Sequence, residues 1–326
     1  MRGLEGALAG TRVLDVTRLA PGPFCTELLA DMGAEVWKVE APSGGDPLRA
    51  LSPPAFETLN AGKKSVTLNL KAVSGRELFL KLAERADVLV EGFRPGVMAD
   101  WGLSYRELHA RIPTLVYASI TGYGQDGPDR HRAGHDINYM AKAGALGREV
   151  PPVQVADFAG GGLFAAFGIV AALHARDRTR RGAYVDVSMA DGVRRLTSLL
   201  SSPAGDLLSG RYPCYGIYET ADAERLTVGA LEPKFWETFC EAIERPDLRG
   251  RSFDAEARPV VADALRTRSL DHWKSIFDAV DACVEPVTAP EPPPSRRPAP
   301  RLGEHTAPLL ELSPAEASRL SAEGVI

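Results

Sequence analysis

The chain has 326 residues, which at roughly 150 residues per domain implies about two domains. Hydrophobic residues make up 44% and charged residues 25%, enough to bury a sizeable core, and a net charge of −5 argues against a general binder of nucleic-acid backbone. With 31 glycines and 25 prolines the chain is turn-rich without being low in complexity.

The first 120 residues read as alternating strands and helices. Thr11–Val16 is a short β-type run, and the turn Ala20-Pro-Gly-Pro23 supplies prolines suited to a helix start. Phe24–Met32 has helical character and is closed by Gly33 in the C′ position. Glu35–Glu40 alternates polar and apolar residues as a strand. A helix over Ser74–Ala86, a strand over Asp87–Glu91 and a strand over Leu115–Ile120 follow. Strand–helix–strand units at this spacing predict an α/β fold, a mostly parallel sheet covered by helices on both faces. Ligands bind at the carboxyl ends of such strands, here Thr17–Gly22, Glu40–Asp46, Glu91–Pro95 and Thr121–Gly127. No G-x-G-x-x-G opens the first helix, which disfavours a standard NAD enzyme.

The middle holds an apolar stretch over Gly160–Ala175, a strand at Tyr184–Ser188 and a helix at Ala190–Leu200. From Arg211 the texture changes. Tyr215–Glu219 and Arg225–Ala230 read as paired strands around a polar turn, followed by helices at Phe235–Ile243, Pro259–Thr267 and Leu270–Val280. That shift places a domain boundary near 205–212, between a large domain over 1–205 and a small domain over 212–295. Six prolines in Pro290–Pro300 predict an extended connector.

Met1–Asp15 has no uninterrupted apolar stretch, so no signal peptide is expected in it. The longest apolar run, Leu163–Leu173, has 11 residues, too short for a bilayer span. Cys25, Cys214, Cys240 and Cys283 lie far apart without metal-ligand spacing. Each is expected to be a buried small apolar residue, with no metal site, and a reducing cytoplasm suits them.

Three stretches put titratable groups beside turn-forming residues: Ala133–Tyr139, Ala156–Gly162 and Leu231–Trp236. Taken singly, each fits a cap or a turn. In the second, Asp157 precedes three glycines and an apolar helix, so backbone there can approach a ligand without Cβ interference. Free N–H groups at that helix start would favour a developing oxyanion, and the carboxylate could attack a carbonyl or move a proton beside it. Position alone leaves both roles open.

Taken together and in order, Gly134-His-Asp-Ile-Asn-Tyr139, Asp157-Phe-Ala-Gly-Gly-Gly162 and Glu232-Pro-Lys-Phe-Trp236 resemble the α-methylacyl-CoA racemases of the family III CoA-transferase (CaiB/BaiF) superfamily. Leu28–Val36, Asn60–Lys71, Asp87–Val97, Thr121–Pro128 and Asp281–Val287 are similar to the same group, over roughly residues 8–290. The resemblance implies Asp157 as nucleophile or acid/base, His135 as a second acid/base and Glu232 as a hydrogen-bonding member of the catalytic cluster. It implies substrate contacts at Tyr215, Asp136, Gly160 and Gly161, and contacts to coenzyme A at Arg94, Leu68, Asn69, Leu70 and Lys71. It further implies a Rossmann-like large domain with a parallel sheet, completed by about 300–326, a smaller α+β domain, and an interlocked homodimer. The expected activity is two-base inversion of a 2-methylacyl-CoA. The alternative is CoA transfer between carboxylic acids through an aspartyl-CoA intermediate. Neither needs a cofactor beyond the coenzyme A of the substrate, and neither nucleic acid nor membrane is an expected partner. Two departures stand out. His135 and Asp157 are only 22 positions apart, a shortened loop, and Gln154 stands where the racemases have an Asn that holds the aspartate.

Overall fold

In a computed structural model, residues 3–147, 149–291 and 297–326 are described. Much of the proline-rich connector expected at Pro290–Pro300 lies outside them. The chain forms two compact units. The first runs to Leu196 and resumes in the C-terminal segment; the second is Thr197–Glu291. The division therefore falls ahead of the predicted 205–212, because the short helix Pro203–Leu207 belongs to the second unit.

The first unit is built on six strands: β1 (Arg12–Asp15), β2 (Glu35–Glu40), β3 (Lys64–Thr67), β4 (Val88–Glu91), β5 (Val116–Thr121) and β6 (Tyr184–Ser188). All neighbours are parallel, in the order β3-β2-β1-β4-β5-β6. That is the order of dinucleotide-binding sheets, with its reversal between β1 and β4. Alternate residues face opposite layers. Val13, Val36, Val90 and Ile120 meet α1 (Pro21–Asp31) and the long helix that precedes β6. Leu14, Trp37, Val39 and Leu89 meet α2 (Val73–Ala83), α3 (Tyr105–Arg111) and the C-terminal segment. Gly33 does close α1, at φ 98°, a conformation that favours glycine.

Two short elements complete the unit around β5 and β6: α4 (Asp136–Ala143) and α6 (Met189–Leu196). Between them runs a continuous helical stretch, Ala156–Thr179, whose first eight residues, Ala156–Leu163, are π-helix and whose remainder is α5 (Phe164–Thr179). Counting it as one helix changes the sequence estimate. It has 24 residues and a mean hydropathy of 1.7 over its most apolar window, long and apolar enough to cross a membrane. In this fold Ala165, Ala166, Ile169, Ala172 and Leu173 face the core of the first unit, while Leu163, Phe167 and Val170 are exposed.

The C-terminal residues close the wall behind β3. The Asn69 amide N–H donates to Val325 O at 2.8 Å, and its side-chain Nδ2 donates to Gly324 O at 3.2 Å.

The second unit has an antiparallel sheet of β7 (Tyr215–Glu219), β8 (Arg225–Gly229) and β9 (Val284–Pro286) in that order. Helices α7 (Pro233–Ala242), α8 (Arg258–Leu265) and α9 (Leu270–Phe277) share its separate core, which includes Trp236, Phe239 and Trp273.

Candidate active site

The carboxyl ends of β1, β2 and β4 carry buried charge, where an otherwise apolar sheet has no solvation to offer. Asp15 ends β1 fully buried. It accepts from Thr17, from the Thr26 hydroxyl at 2.6 Å and from Lys63 Nζ at 3.2 Å. Lys38 Nζ in β2 meets Asp46 Oδ2 at 2.9 Å, also fully buried. The two lysines and two hydroxyls outweigh desolvation and hold the Asp15 carboxyl down at about 2, while burial lowers Lys63 to about 8. Asp46 also accepts the Leu19 amide at 3.0 Å, which fixes Leu19 in a left-handed conformation (φ 65°). No motif pointed to Asp15 or Lys63, because their partners are 48 positions apart.

On this frame lies a cavity of about 240 Å³. Thr17 and Arg18 line it after β1, Glu40 and Asp46 after β2, Leu68–Lys71 after β3, and Phe93 with Trp101 after β4. The Arg18 guanidinium lies over the Phe93 ring at 5.5 Å, and Phe93 meets Trp101 edge-on. Leu68, Asn69, Leu70 and Lys71, predicted to contact coenzyme A, all line this cavity. The Asn69 side chain is already engaged, holding Gly324 O and accepting from the Lys71 amide, so it shapes the wall. Arg94 instead lines a neighbouring cavity of about 70 Å³ with Glu91, Ser119 and Gln125. There burial pushes Glu91 up to about 7.

Past β5 the motif Gly134–Tyr139 builds the start of α4, each residue by a specific contact. His135 is the N-cap in extended conformation, its amide donating to Asn138 Oδ1 at 3.0 Å. The Tyr139 hydroxyl donates to Gly134 O. Its ring fits only because Gly122 and Gly134 have no side chain; a Cβ at either would stand 2.4 or 2.8 Å from ring atoms. Asp136 Oδ1 accepts the amide of Asp157 at 2.9 Å, tying α4 to the π-helical segment. Asp136 was predicted as a substrate contact, whereas this oxygen is committed to the protein.

Asp157 is half-buried on the second residue of the π-helix. Desolvation first, and the Asp136 charge second, push its carboxyl up to about 6, with His135 pulling the other way. Tyr139 feels the charge of Asp157 and, in the opposite sense, that of Arg94. His135, Asp136, Tyr139 and Asp157 thus form one electrostatic cluster. The expected free amides at Asp157 are spent: its own goes to Asp136, and that of Phe158 goes to Gln154 O. The Gln154 side chain makes no hydrogen bond among the described residues. Gly160 and Gly161 turn their Cα faces to Met189 and Val193, and a Cβ at Gly160 would lie 2.6 Å from Met189 O. Their lack of a side chain serves helix packing here rather than close approach of a ligand.

Tyr215 and Glu232 belong to the second unit. Tyr215 pairs with Gly229, which puts it at the end of β7 and β8 from which the chain runs on to Glu232, the N-cap of α7. Cys283, whose carbonyl accepts the Gly229 amide at 2.9 Å, lies at the same end and feels the Glu232 charge. Cys25, Cys214 and Cys240 are buried as expected, but Cys283 is exposed, in a turn with φ 52°. Among the described residues no group of three or more His, Cys, Asp or Glu is placed to hold a metal ion.

Comparison with known proteins bears on what this arrangement serves. The human α-methylacyl-CoA racemase is 39% identical over 304 residues, 86% of this chain and 78% of that protein. The succinyl-CoA:mesaconate CoA-transferase of Haloarcula hispanica is 38% identical over 307 residues, 84% of this chain and 76% of that protein. The crystal structure of Rv3272 from Mycobacterium tuberculosis, 32% identical, superposes with a TM-score of 0.75 over 92% of this chain and 97% of its own. The sequence model of CoA-transferase family III matches residues 8–293, and the chain belongs to that family.

Proposed function

We propose that the chain is an acyl-CoA racemase or epimerase that inverts the carbon next to the thioester of a 2-methylacyl-CoA. The observation that carries this reading is a histidine within electrostatic reach of a carboxyl whose pKa is raised to about 6. Inversion needs one base to take the α-proton from one face and an acid to return one to the other. Asp157 and His135 form such a pair, and a group that titrates near the working pH serves well as both acid and base. Positioned proton transfer contributes about 10²–10⁴-fold in rate. The enolate oxygen is stabilised at the start of α4 by the amides of Asp136 and Ile137, which have no acceptor among the described residues, whereas those of Asn138 and Tyr139 go to His135 O.

The 240 Å³ cavity takes the nucleotide end of coenzyme A. Arg18 and Lys71 have no ion-pair partner among the described residues and meet its phosphates, while Phe93 offers an aromatic surface to its base. Tyr215 contacts the acyl part, and Glu232, from a second copy of the chain, completes the catalytic cluster. The chemistry draws on protein side chains and asks for no added cofactor. The exposed stripe Leu163, Phe167 and Val170, spaced for one helix face, supports the homodimer this requires.

The second reading is a CoA-transferase with Asp157 as nucleophile, favoured by the Haloarcula relative, a succinyl-CoA:mesaconate CoA-transferase. Incubation of a single 2-methylacyl-CoA epimer in D₂O separates the two. Exchange of the α-proton that is lost in both His135→Ala and Asp157→Asn supports inversion. No exchange, with CoA passing to a free carboxylate through a trappable Asp157 thioester, overturns inversion in favour of transfer.

A further inference from the structure

Carboxylates at a helix start ordinarily satisfy that helix's own amides. Asp136 does otherwise. From the first residue of α4 it reaches a different helix and takes the N–H of Asp157 at 2.9 Å, the residue assigned the chemistry. The contact is braced. The Asn138 side chain caps the His135 amide, and the Tyr139 hydroxyl holds the Gly134 carbonyl with its ring seated against Gly122 and Gly134. The start of α4 cannot shift without moving Asp157.

We propose that Asp136 is a positioning residue for the reaction, clamping the backbone of Asp157 and holding a second carboxylate beside its own. The proposal rests on the reading of Asp157 as the reacting group. The ionisable groups acting on Asp157 all come from the α4 motif: Asp136 opposes its ionisation, His135 favours it, and the Tyr139 hydroxyl is within range. The other helices against the π segment bring apolar atoms, Phe24 of α1 against Phe158, and Met189 and Val193 of α6 against Gly160 and Gly161. No counter-cation comes from those sides, so the charge of Asp136 bears on Asp157 and, against His135, favours its protonated acid.

Asp136→Asn keeps an oxygen for the Asp157 amide and removes the charge; Asp136→Ala removes both. Two readouts are needed. The first is the pH profile of kcat for α-proton exchange in the direction that uses Asp157 as base. Its acid limb is expected to move to lower pH in the Asn variant with KM unchanged, and kcat to fall about tenfold or more at all pH values in the Ala variant. The second is a ¹³C NMR titration of the Asp157 carboxyl, identified by its loss in Asp157→Asn, which requires no turnover. A titration midpoint lower in Asp136→Asn than in the parent supports the proposal, and an unmoved midpoint overturns it. If the parent protein catalyses neither exchange nor transfer, the functional reading fails, yet the midpoint still decides whether Asp136 acts on Asp157. If Asp136→Ala does not fold, the near-isosteric Asn variant carries the test.

Discussion

At the scale of single residues, the Asp157 carboxylate is kept in a place that disfavours its charge. Its pKa stands at about 6 when folded, against an ordinary 3.8, so between those values the folded chain binds the extra proton. Stability from this group therefore falls as pH rises from about 4 to 6. Above that the full penalty is present, on the order of 1–2 kcal/mol after allowing for partial solvation. Asp157→Asn should raise the Tm at pH 7.5 while abolishing exchange, and the gain in Tm should vanish near pH 3.5. A calorimetric scan at both pH values checks this. Asp15 poses the opposite case, since its pairing with Lys63 is part of the fold. Lys63→Met removes the cation bonded to Asp15 and leaves Lys38 as the remaining counter-charge, so it should cost up to about 3 kcal/mol in urea unfolding. Adding Asp15→Asn should recover part of that loss, which a double-mutant cycle reads directly.

Among the elements, the π-helical segment matters most for the site, and its stability depends on glycines. A Cβ on Gly192 would stand 2.1 Å from the Gly160 carbonyl oxygen, backbone against backbone, so α6 would have to move away. Gly192→Ala should therefore cost about 1–3 kcal/mol and lower kcat, because Asp157 rides on the displaced segment. Gly147, with open space around it, is the control and should tolerate Ala within about 0.5 kcal/mol. Legibility from sequence follows the same physics. Strands β2, β6 and β7 could be bounded to the residue because β-branched and aromatic residues lie between clear turns. Strand β3 was not read from the sequence, since Lys64-Ser-Val-Thr67 is four residues with no alternating pattern. Asp157-Phe-Ala-Gly-Gly-Gly162 suggests a turn leading into a helix, whereas the structure has a π-helix there, its glycines packed against Met189 and Pro21. His135 and Asp157 stood out by motif. The bond between Asp136 and Asp157 did not, because a hydrogen bond across 21 positions leaves no local pattern.

For the whole molecule, the prediction concerns association. The exposed stripe on α5, with Phe167 at 73% exposure, is the face proposed to meet a second copy. Light scattering should then give twice the 35.0 kDa chain mass, and Phe167→Glu should shift the population toward a single chain and lower activity with it. A parent protein that runs as a monomer at micromolar concentration would count against shared sites. The bond between Asn69 and the Gly324–Val325 turn has a consequence in time. Its partners are separated by 255 positions, with the entire second unit made in between. At about 5–20 residues per second of synthesis, the segment that lines the 240 Å³ cavity waits roughly 10–50 s for its last hydrogen-bond acceptor. Until Val325 leaves the ribosome, the nascent first unit has its sheet but lacks the support behind that wall. Acyl-CoA supplied during translation should therefore protect from proteolysis only chains whose Gly324–Val325 turn has emerged.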